Sequence, residues 1–339
     1  MLRVGISLAL LVFLFSRLDI DIARLLDILK HADQKLLWLA LLTFVAINFV
    51  CIMRWYQLLR SVDIRLPFRR VLISFAGGIF FNVFTPSTIG GDFVRSLDLA
   101  AYTKKTKEVV ATVFLDRLSG YIGLVIVALV SVACGWRLIK FPSILISLIV
   151  ITAALVVILL LLFNQPVYRA IKHFLDAPHL DSRQHPKQGT GGRRWAAPVV
   201  LRRLRVMLGN LHSEIHLFRD KKGLIAKNIF LSLIIQFLSP LTFYFTALAL
   251  GMKIDLLYFF IFVPVISAIT MLPISIGGLG VRDNAAALFF GKVGMSHDFA
   301  VAMSLLNFVY ILIVACAGGI IYVFTVYHRR IQSHPSSSL

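Results

Sequence analysis

Long runs without a charged residue constrain this 339-residue chain more than any other feature of its sequence. Each run reaches the roughly 18 residues from which a transmembrane helix is inferred, and the runs cover 36–53, 71–91, 118–136, 141–168, 228–252, 256–281 and 299–327. A shorter run, 4–16, follows Arg3 without a small-residue cleavage pattern, so it predicts an uncleaved first helix that extends to Leu18. Because 59% of the residues are hydrophobic and only 15% are charged, a water-exposed surface is excluded. We expect an all-α, polytopic integral membrane protein.

The positions of the charges predict an orientation. A formal net charge of +19 first suggests a nucleic-acid partner, but 26 of the 35 Lys and Arg fall in alternate segments between the runs. Those segments are the N-terminus, 54–70, 95–117, 169–227 and 329–330. By the positive-inside rule they are cytoplasmic. We therefore expect a multi-pass protein of the cell (inner) membrane, with both termini in the cytoplasm and no nucleic-acid partner.

This orientation holds only if two of the runs enter and leave the membrane on the same side. These are the regions 71–100 and 256–291, and each is interrupted by Pro and paired Gly. We interpret them as broken re-entrant hairpins. The predicted architecture is about six full transmembrane helices plus the two hairpins, eight membrane segments in all, although two full crossings remain an alternative.

The two hairpins share a decapeptide, P-x-[ST]-I-G-G-x-x-V-R. It begins at Pro86 and again at Pro273, 187 residues later, with six identities in ten positions. The run before the first hairpin is predicted to cross from outside to inside, and the run before the second from inside to outside, so the repeat is inverted. Inverted repeats with Gly/Pro-interrupted segments at corresponding positions indicate the substrate site of a transporter.

The chain divides into two membrane halves joined by a basic loop. The N-terminal half is 1–163, the cytoplasmic loop is 164–227, the C-terminal half is 228–327, and 328–339 is a disordered cytoplasmic tail. Within the loop, apolar residues at helical spacing predict an amphipathic basic helix over 199–219. It lies either on the anionic inner leaflet or against the membrane domain.

The motif residues are suited to binding an anion. A broken helix exposes backbone N–H groups, Gly permits close approach, and hydroxyl and guanidinium groups donate hydrogen bonds to phosphate. The predicted substrate-binding or translocation residues are Asn82, Pro86, Ser87, Thr88, Gly90, Gly91, Asp92, Arg95, Asp116, Arg117, Pro273, Ser275, Gly277, Gly278, Gly280, Arg282 and Asp283. The aspartates would bind a cationic part of a head group or hold the arginines in place. The alternative is that Gly-Gly forms a tight turn and the charged residues are interfacial anchors.

Other candidates favour no catalytic chemistry. Asp19 and Asp21 form a DxD that could bind the metal of a lipid-linked sugar transferase, but acids at the start of a helix explain them better. His212 and His216 lie on the basic helix and indicate a solvated face. The three cysteines show neither CxxC nor ligand spacing. We predict no catalytic residues, no metal and no cofactor.

The quoted residues resemble the flippase-like transmembrane domain of lysylphosphatidylglycerol synthases and its stand-alone relatives. The resemblance covers about residues 1–327 and is carried by Phe81-Asn82-Val83-Phe84-Thr85-Pro86, Gly90-Gly91-Asp92-Phe93-Val94-Arg95, Asp116-Arg117 with Gly120, and Pro273 to Asp283. It implies an inner-membrane protein that moves phospholipids or glycolipids between leaflets. The aminoacyltransferase domain of the synthases is not expected here, since only 331–339 follow the last predicted span.

Three function hypotheses follow. The leading one is a transporter that moves an anionic phospholipid or lipid-linked phosphate across the membrane, with Arg95 and Arg282 binding the phosphate from opposite sides of the midplane. The second is a membrane-embedded glycosyl or phosphoryl transferase that uses a lipid-linked donor. The third is a non-catalytic accessory subunit that works with a separate lipid-modifying enzyme.

Overall fold

The computed structural model describes residues 27–85, 90–134, 221–270 and 278–332, together with residues 146, 149, 150, 152, 153, 156 and 157. The elements in chain order are α1 (Gln34–Ser61), α2 (Phe68–Phe84), α3 (Gly90–Thr103), α4 (Thr106–Cys134), α5 (Lys222–Ala249), α6 (Leu256–Thr270), α7 (Val281–Gly291) and α8 (His297–Gln332). The all-α prediction is confirmed. The predicted first helix, most of the span 141–168, the helix 199–219 and residues 333–339 lie outside the described residues.

Four of these helices are long and apolar enough to cross a membrane: α1, α4, α5 and residues His297–Thr325 of α8. They coincide with four of the charge-free runs. Large apolar side chains on their outer faces are exposed, among them Trp38 at 69% and Leu42 at 64%. Exposure of this kind is a liability in water and is what a helix facing lipid requires. The chain is a polytopic membrane protein.

Helices α2 and α3 form the first helical hairpin. Arg70 contacts Asp98, the Ser74 hydroxyl donates to the Arg95 carbonyl oxygen, and Gly78 lies against Gly91. Residues further along α2 contact residues earlier in α3, so the two arms are antiparallel. With 17 and 14 residues, the arms are about 26 and 21 Å long, less than the roughly 30 Å hydrocarbon core.

Helices α6 and α7 form the second hairpin. The Phe259 ring, near the start of α6, packs on Phe290 near the end of α7, and Thr270 at the end of α6 lies against Gly278 just before α7, so these arms are also antiparallel. With 15 and 11 described residues, these helices are about 23 and 17 Å long, less than the roughly 30 Å hydrocarbon core. The arm lengths of both hairpins favour re-entrant segments over full crossings, which stays a prediction about the bilayer.

The helix before each hairpin runs in the opposite direction to its counterpart. The backbone N–H of Asp33, just before α1, donates to the carbonyl oxygen of Ala249 at the end of α5 at 2.8 Å. At the other end, the Lys221 ammonium donates to the carbonyl oxygen of Ser61. Helices α1 and α5 are therefore antiparallel, as an inverted repeat requires.

Candidate functional site

The first hairpin places an acid and a base on one face of α3. Asp92 lies in the first turn of α3, where the partial positive charge of the helix N-terminus favours a carboxylate. One turn later, Arg95 Nη2 contacts Asp92 Oδ1 at 3.0 Å. The second oxygen of Asp92 accepts from Arg117 Nε on α4 at 2.6 Å. Asp92 therefore contacts two guanidinium groups from different helices.

A second carboxylate, Asp116 on α4, also contacts two guanidinium groups. Its Oδ2 accepts from Arg95 Nη2 at 3.0 Å, and its Oδ1 accepts from Arg54 Nε on α1 at 2.7 Å. Arg54 Nη1 in turn donates to Ser232 Oγ on α5 at 2.9 Å. The side chains of Arg54 and Asp116 are only 7% and 4% exposed. A buried charged cluster thus connects α1, α3, α4 and α5.

The cluster contains five charged residues. Among the described residues they are three guanidinium groups, on Arg54, Arg95 and Arg117, and two carboxylates, on Asp92 and Asp116. The side chain of Arg117 is 35% exposed, so solvent as well as Asp92 stabilises its charge. We name these five residues the charged cluster.

Arg95 contacts both carboxylates of the cluster, and one of its hydrogen-bond donors has no partner among the described residues. It is 3% exposed, and its guanidinium carbon lies 4.6 Å from the ring centroid of Trp55 and 5.0 Å from that of Phe75. Such cation–π contacts hold a desolvated guanidinium in position. Its Nε is buried without a hydrogen-bond partner among the described residues. An anion acceptor would satisfy this donor.

The charged cluster borders a cleft with a cavity volume of about 150 Å³. A single water molecule needs only about 10–15 Å³ measured in this way, so the cleft has room for a small polar group. Its lining is Asn48, Cys51, Arg54, Phe75, Gly78, Ile79, Asn82, Gly91, Asp92, Arg95, Asp116 and Arg117.

A glycine contact sets the width of the hairpin beside this cleft. A Cβ atom on Gly91 would lie 2.0 Å from the carbonyl oxygen of Gly78 and 2.8 Å from the Asn82 side chain. Only glycine permits the two arms to come this close. That Gly91 admits an anion to the backbone stays a prediction; what the structure shows is that it admits the neighbouring helix.

The second copy of the motif forms a smaller, neutral cluster. Arg282 Nε donates to Ser304 Oγ on α8 at 2.9 Å, and Arg282 Nη2 lies 3.4 Å from Asp283 Oδ1. Asp283 is fully buried, and its oxygens accept from the Ser304 hydroxyl and from the Gly280 backbone N–H. The Arg282 guanidinium is thus held by local partners, and Arg282 is not among the residues that line the cleft.

The structure brings together part of the predicted site. Asn82, Gly91, Asp92, Arg95, Asp116 and Arg117 line one cleft, and Gly90 begins α3 beside Thr85. Gly280, Arg282 and Asp283 form the second cluster, and Gly278 lies in the turn before it, against Thr270. Pro86, Ser87, Thr88, Pro273, Ser275 and Gly277 lie outside the described residues, as do Asp19, Asp21, His212 and His216.

Arg54 was missed as a site residue. Because it directly follows a charge-free run, it was counted with the cytoplasmic loop charges, and so was Arg70. The structure corrects this: both are 6% exposed, and Arg70 Nη2 pairs with Asp98 Oδ1 at 2.7 Å inside the first hairpin. The sequence carries no local signal for this role, because the continuation of α1 through Arg54 to Ser61 is seen only in the structure.

These features define a polytopic α-helical membrane protein with a cleft lined by charged residues beside a helical hairpin. The chain belongs to the family described as the lysylphosphatidylglycerol synthase TM region, which it matches over residues 1–330. The resemblance inferred from the motifs is therefore confirmed.

Two archaeal proteins are among its relatives. A UPF0104 membrane protein from Pyrococcus horikoshii is 23% identical over 310 residues, covering 90% of each chain. A UPF0104 membrane protein from Methanothermobacter thermautotrophicus is 26% identical over 300 residues, covering 83% of this chain and 82% of the relative. Their names describe membrane proteins and assign no activity.

Proposed function

We propose that the protein moves a lipid with a phosphate-bearing head group from one leaflet of the cell membrane to the other. The observation that carries this proposal is the buried guanidinium of Arg95, which lines a cleft and whose Nε has no hydrogen-bond partner among the described residues. Ionisable residues inside a membrane are costly and mark substrate pathways. Membership in the family supports a membrane setting for this site.

In this proposal the phosphate enters the cleft while the acyl chains stay in the bilayer. Arg95 donates to a phosphate oxygen through its unpartnered Nε, with Arg117 and the Asn82 amide nearby in the lining. Asp92 and Asp116 act by position, because each holds two guanidinium groups in place. No covalent step is needed, so the protein acts as a transporter and not as an enzyme.

The test is lipid translocation in reconstituted vesicles. We expect the purified protein to speed the movement of labelled anionic phospholipid between leaflets, and Arg95→Gln to remove most of that activity. Arg69→Gln is the matched control, because Arg69 is an exposed arginine on α2, the partner arm of the hairpin. Rates no higher than those of empty vesicles, for several anionic lipids and glycolipids, would contradict the proposal.

The same assay separates a transporter from a transferase. Asp19→Asn combined with Asp21→Asn removes both carboxylates of the DxD. We expect this double variant to transport lipid at the wild-type rate. Loss of a sugar or phosphate transfer activity in that variant, with no lipid translocation by the wild type, would support the enzyme hypothesis instead.

A further inference from the structure

Two neutral amides line the same cleft as the charged cluster. Asn48 is on α1 and Asn82 is on α2, and both side chains are partly buried. Asn48 lies six residues before Arg54, about 9 Å along the helix. Asn82 contacts the backbone of Gly91, the residue before Asp92. The cleft therefore presents uncharged polar groups beside its charged ones.

The hydrogen bonds of each amide determine which of its atoms is left over. Asn48 Nδ2 donates to the Phe44 carbonyl oxygen at 2.9 Å, so the oxygen Oδ1 remains. Asn82 Oδ1 accepts from the Gly91 backbone N–H at 3.4 Å, so the nitrogen Nδ2 remains. Neither remaining atom has a hydrogen-bond partner in the part of the chain that the structure describes. The cleft thus offers one acceptor, on Asn48, and one donor, on Asn82.

A hydroxyl is the uncharged head-group function that suits such a pair, because it both donates and accepts hydrogen bonds. An ammonium group only donates and leaves Asn82 Nδ2 without a partner. A carboxylate only accepts and leaves Asn48 Oδ1 without one. Because the amides are neutral, they also supply no charge to offset the dehydration of an ionised group. The two amides therefore favour a hydroxyl over an ionised substituent.

We infer that Asn48 and Asn82 bind a hydroxyl of the head group while Arg95 binds its phosphate. The cleft then prefers lipids whose phosphate carries a polyol, such as glycerol or a sugar, over lipids whose phosphate carries an alkyl group. This inference rests on the proposed function for the phosphate and for its lipid source. It adds a contact to the part of the head group beyond the phosphate.

A pair of lipids isolates the hydroxyl groups. Phosphatidylglycerol and phosphatidylpropanol with the same acyl chains have the same phosphodiester and differ only in the two hydroxyls of the glycerol head group. Binding is measured at Cys51, which lines the cleft, whereas Cys134 and Cys316 are exposed and are not in its lining. In the Cys134→Ser, Cys316→Ser background, a lipid in the cleft slows the modification of Cys51 by a small methanethiosulfonate reagent.

Removal of the amides should remove the preference. In the wild type we expect phosphatidylglycerol to protect Cys51 at about one tenth of the concentration that phosphatidylpropanol needs, a difference of roughly 1.4 kcal/mol. Asn48→Leu removes the acceptor with little change in volume, and the loss of one hydrogen bond should lower the preference to about threefold. Asn48→Leu combined with Asn82→Leu should abolish it. If the double variant does not fold, Asn48→Leu decides the test, because the hydrogen bond it loses lies within α1.

Thr43→Val is the matched control. The Thr43 hydroxyl, also on α1, donates to the carbonyl oxygen four residues earlier, as Asn48 does, but Thr43 is not in the lining of the cleft. This variant should keep the wild-type preference. Equal protection by the two lipids in the wild type, or an unchanged preference in folded Asn48→Leu, would overturn the inference. An equal fall in Thr43→Val would also overturn it, because the effect would then belong to α1 and not to the amide.

Two further measurements separate this inference from the proposed function. Soluble glycerophosphoglycerol carries the same head group without acyl chains, and protection equal to that of phosphatidylglycerol would keep the hydroxyl contact and contradict the lipid source. A wild type that prefers phosphatidylglycerol at Cys51 but translocates no lipid in vesicles would support the hydroxyl contact while the transport proposal fails. Translocation of both lipids with equal protection of Cys51 would keep the transport proposal and overturn the hydroxyl contact.

Discussion

The two copies of the motif end in the same Val-Arg pair, but they place the arginine in different surroundings. Arg95 contacts two carboxylates, on Asp92 and Asp116, and lines a cleft. Arg282 is satisfied by Asp283 next to it in the chain and by Ser304, with no net charge. The acid explains the difference, because Leu279 stands in the second copy where Asp92 stands in the first. Under the proposed function, the first hairpin binds the ligand and the second gives structural support.

The backbone of the two copies differs as well. Helix α3 begins at Gly90, whereas α7 begins at Val281, which aligns with Val94 and so starts four residues later along the motif. In the first copy Gly91 is helical and packs on Gly78. In the second copy Gly278 and Gly280 have φ values of 80° and 79°, which favour glycine. The motif glycines therefore allow close helix packing in one hairpin and form a turn in the other.

The largest difference we expect between the copies is the side of the membrane from which a thiol reagent reaches each motif. Ser87→Cys and Ser275→Cys, each in a background without the native cysteines, place one thiol in each motif. An inverted repeat predicts that an impermeant thiol reagent modifies one from the cytoplasmic side and the other from the outside. Modification of both from the same side would remove the basis for comparing them as inverted copies.

The next largest effect is on stability. Arg282→Gln leaves the buried Asp283 without a cation among the described residues, so we expect a loss of about 3–5 kcal/mol in the free energy of unfolding. Arg95→Gln should cost less, because Asp92 still contacts Arg117 and Asp116 still contacts Arg54. Unfolding in detergent measures both. A greater loss for Arg95→Gln would contradict the structural role given to the second copy.

Replacing the motif glycines by alanine tests the difference in backbone conformation between the two copies. Gly91→Ala forces a methyl group against the Gly78 carbonyl oxygen, an overpacking that costs about 1–3 kcal/mol. Gly278→Ala places a side chain at positive φ, which costs about 1–2 kcal/mol. Only Gly91→Ala should also change the reactivity of Cys51, because Gly91 lines the cleft and Gly278 does not. Equal effects on Cys51 would argue against separate roles.

The smallest contrast concerns two buried serines that contact the arginines. Ser304→Ala leaves both Arg282 Nε and Asp283 with one partner fewer, so we expect a loss of about 1–3 kcal/mol in the free energy of unfolding. Ser232→Ala removes one acceptor from Arg54, which keeps Asp116, so a loss of about 0.5–1.5 kcal/mol is expected. The reverse order would mean that Arg54 depends on Ser232 more than on Asp116.

Much of the fold could be predicted from local sequence, because long apolar runs and Gly/Pro breaks are visible without knowing what they contact. The site could be predicted only in part. Asp92 and Arg95 could be predicted because they follow the Gly-Gly break of the motif, and Asp116 and Arg117 because they open a run. Arg54 was not, because it is recognised only by its contact with Asp116, 62 residues away. Which residues pair across helices depends on how the helices pack. Packing also places Arg282 against Ser304 and Asp283 and not in the lining of the cleft.

The most direct test of the central claim compares the two arginines in one transport assay. Translocation of labelled anionic phospholipid is measured for Arg95→Gln and Arg282→Gln, with each rate divided by the amount of folded protein in the vesicles. We predict that Arg95→Gln loses most of the rate above that of empty vesicles and that Arg282→Gln keeps the wild-type rate per folded molecule. An equal loss of rate per folded molecule in the two variants would contradict the assignment of binding to the first hairpin.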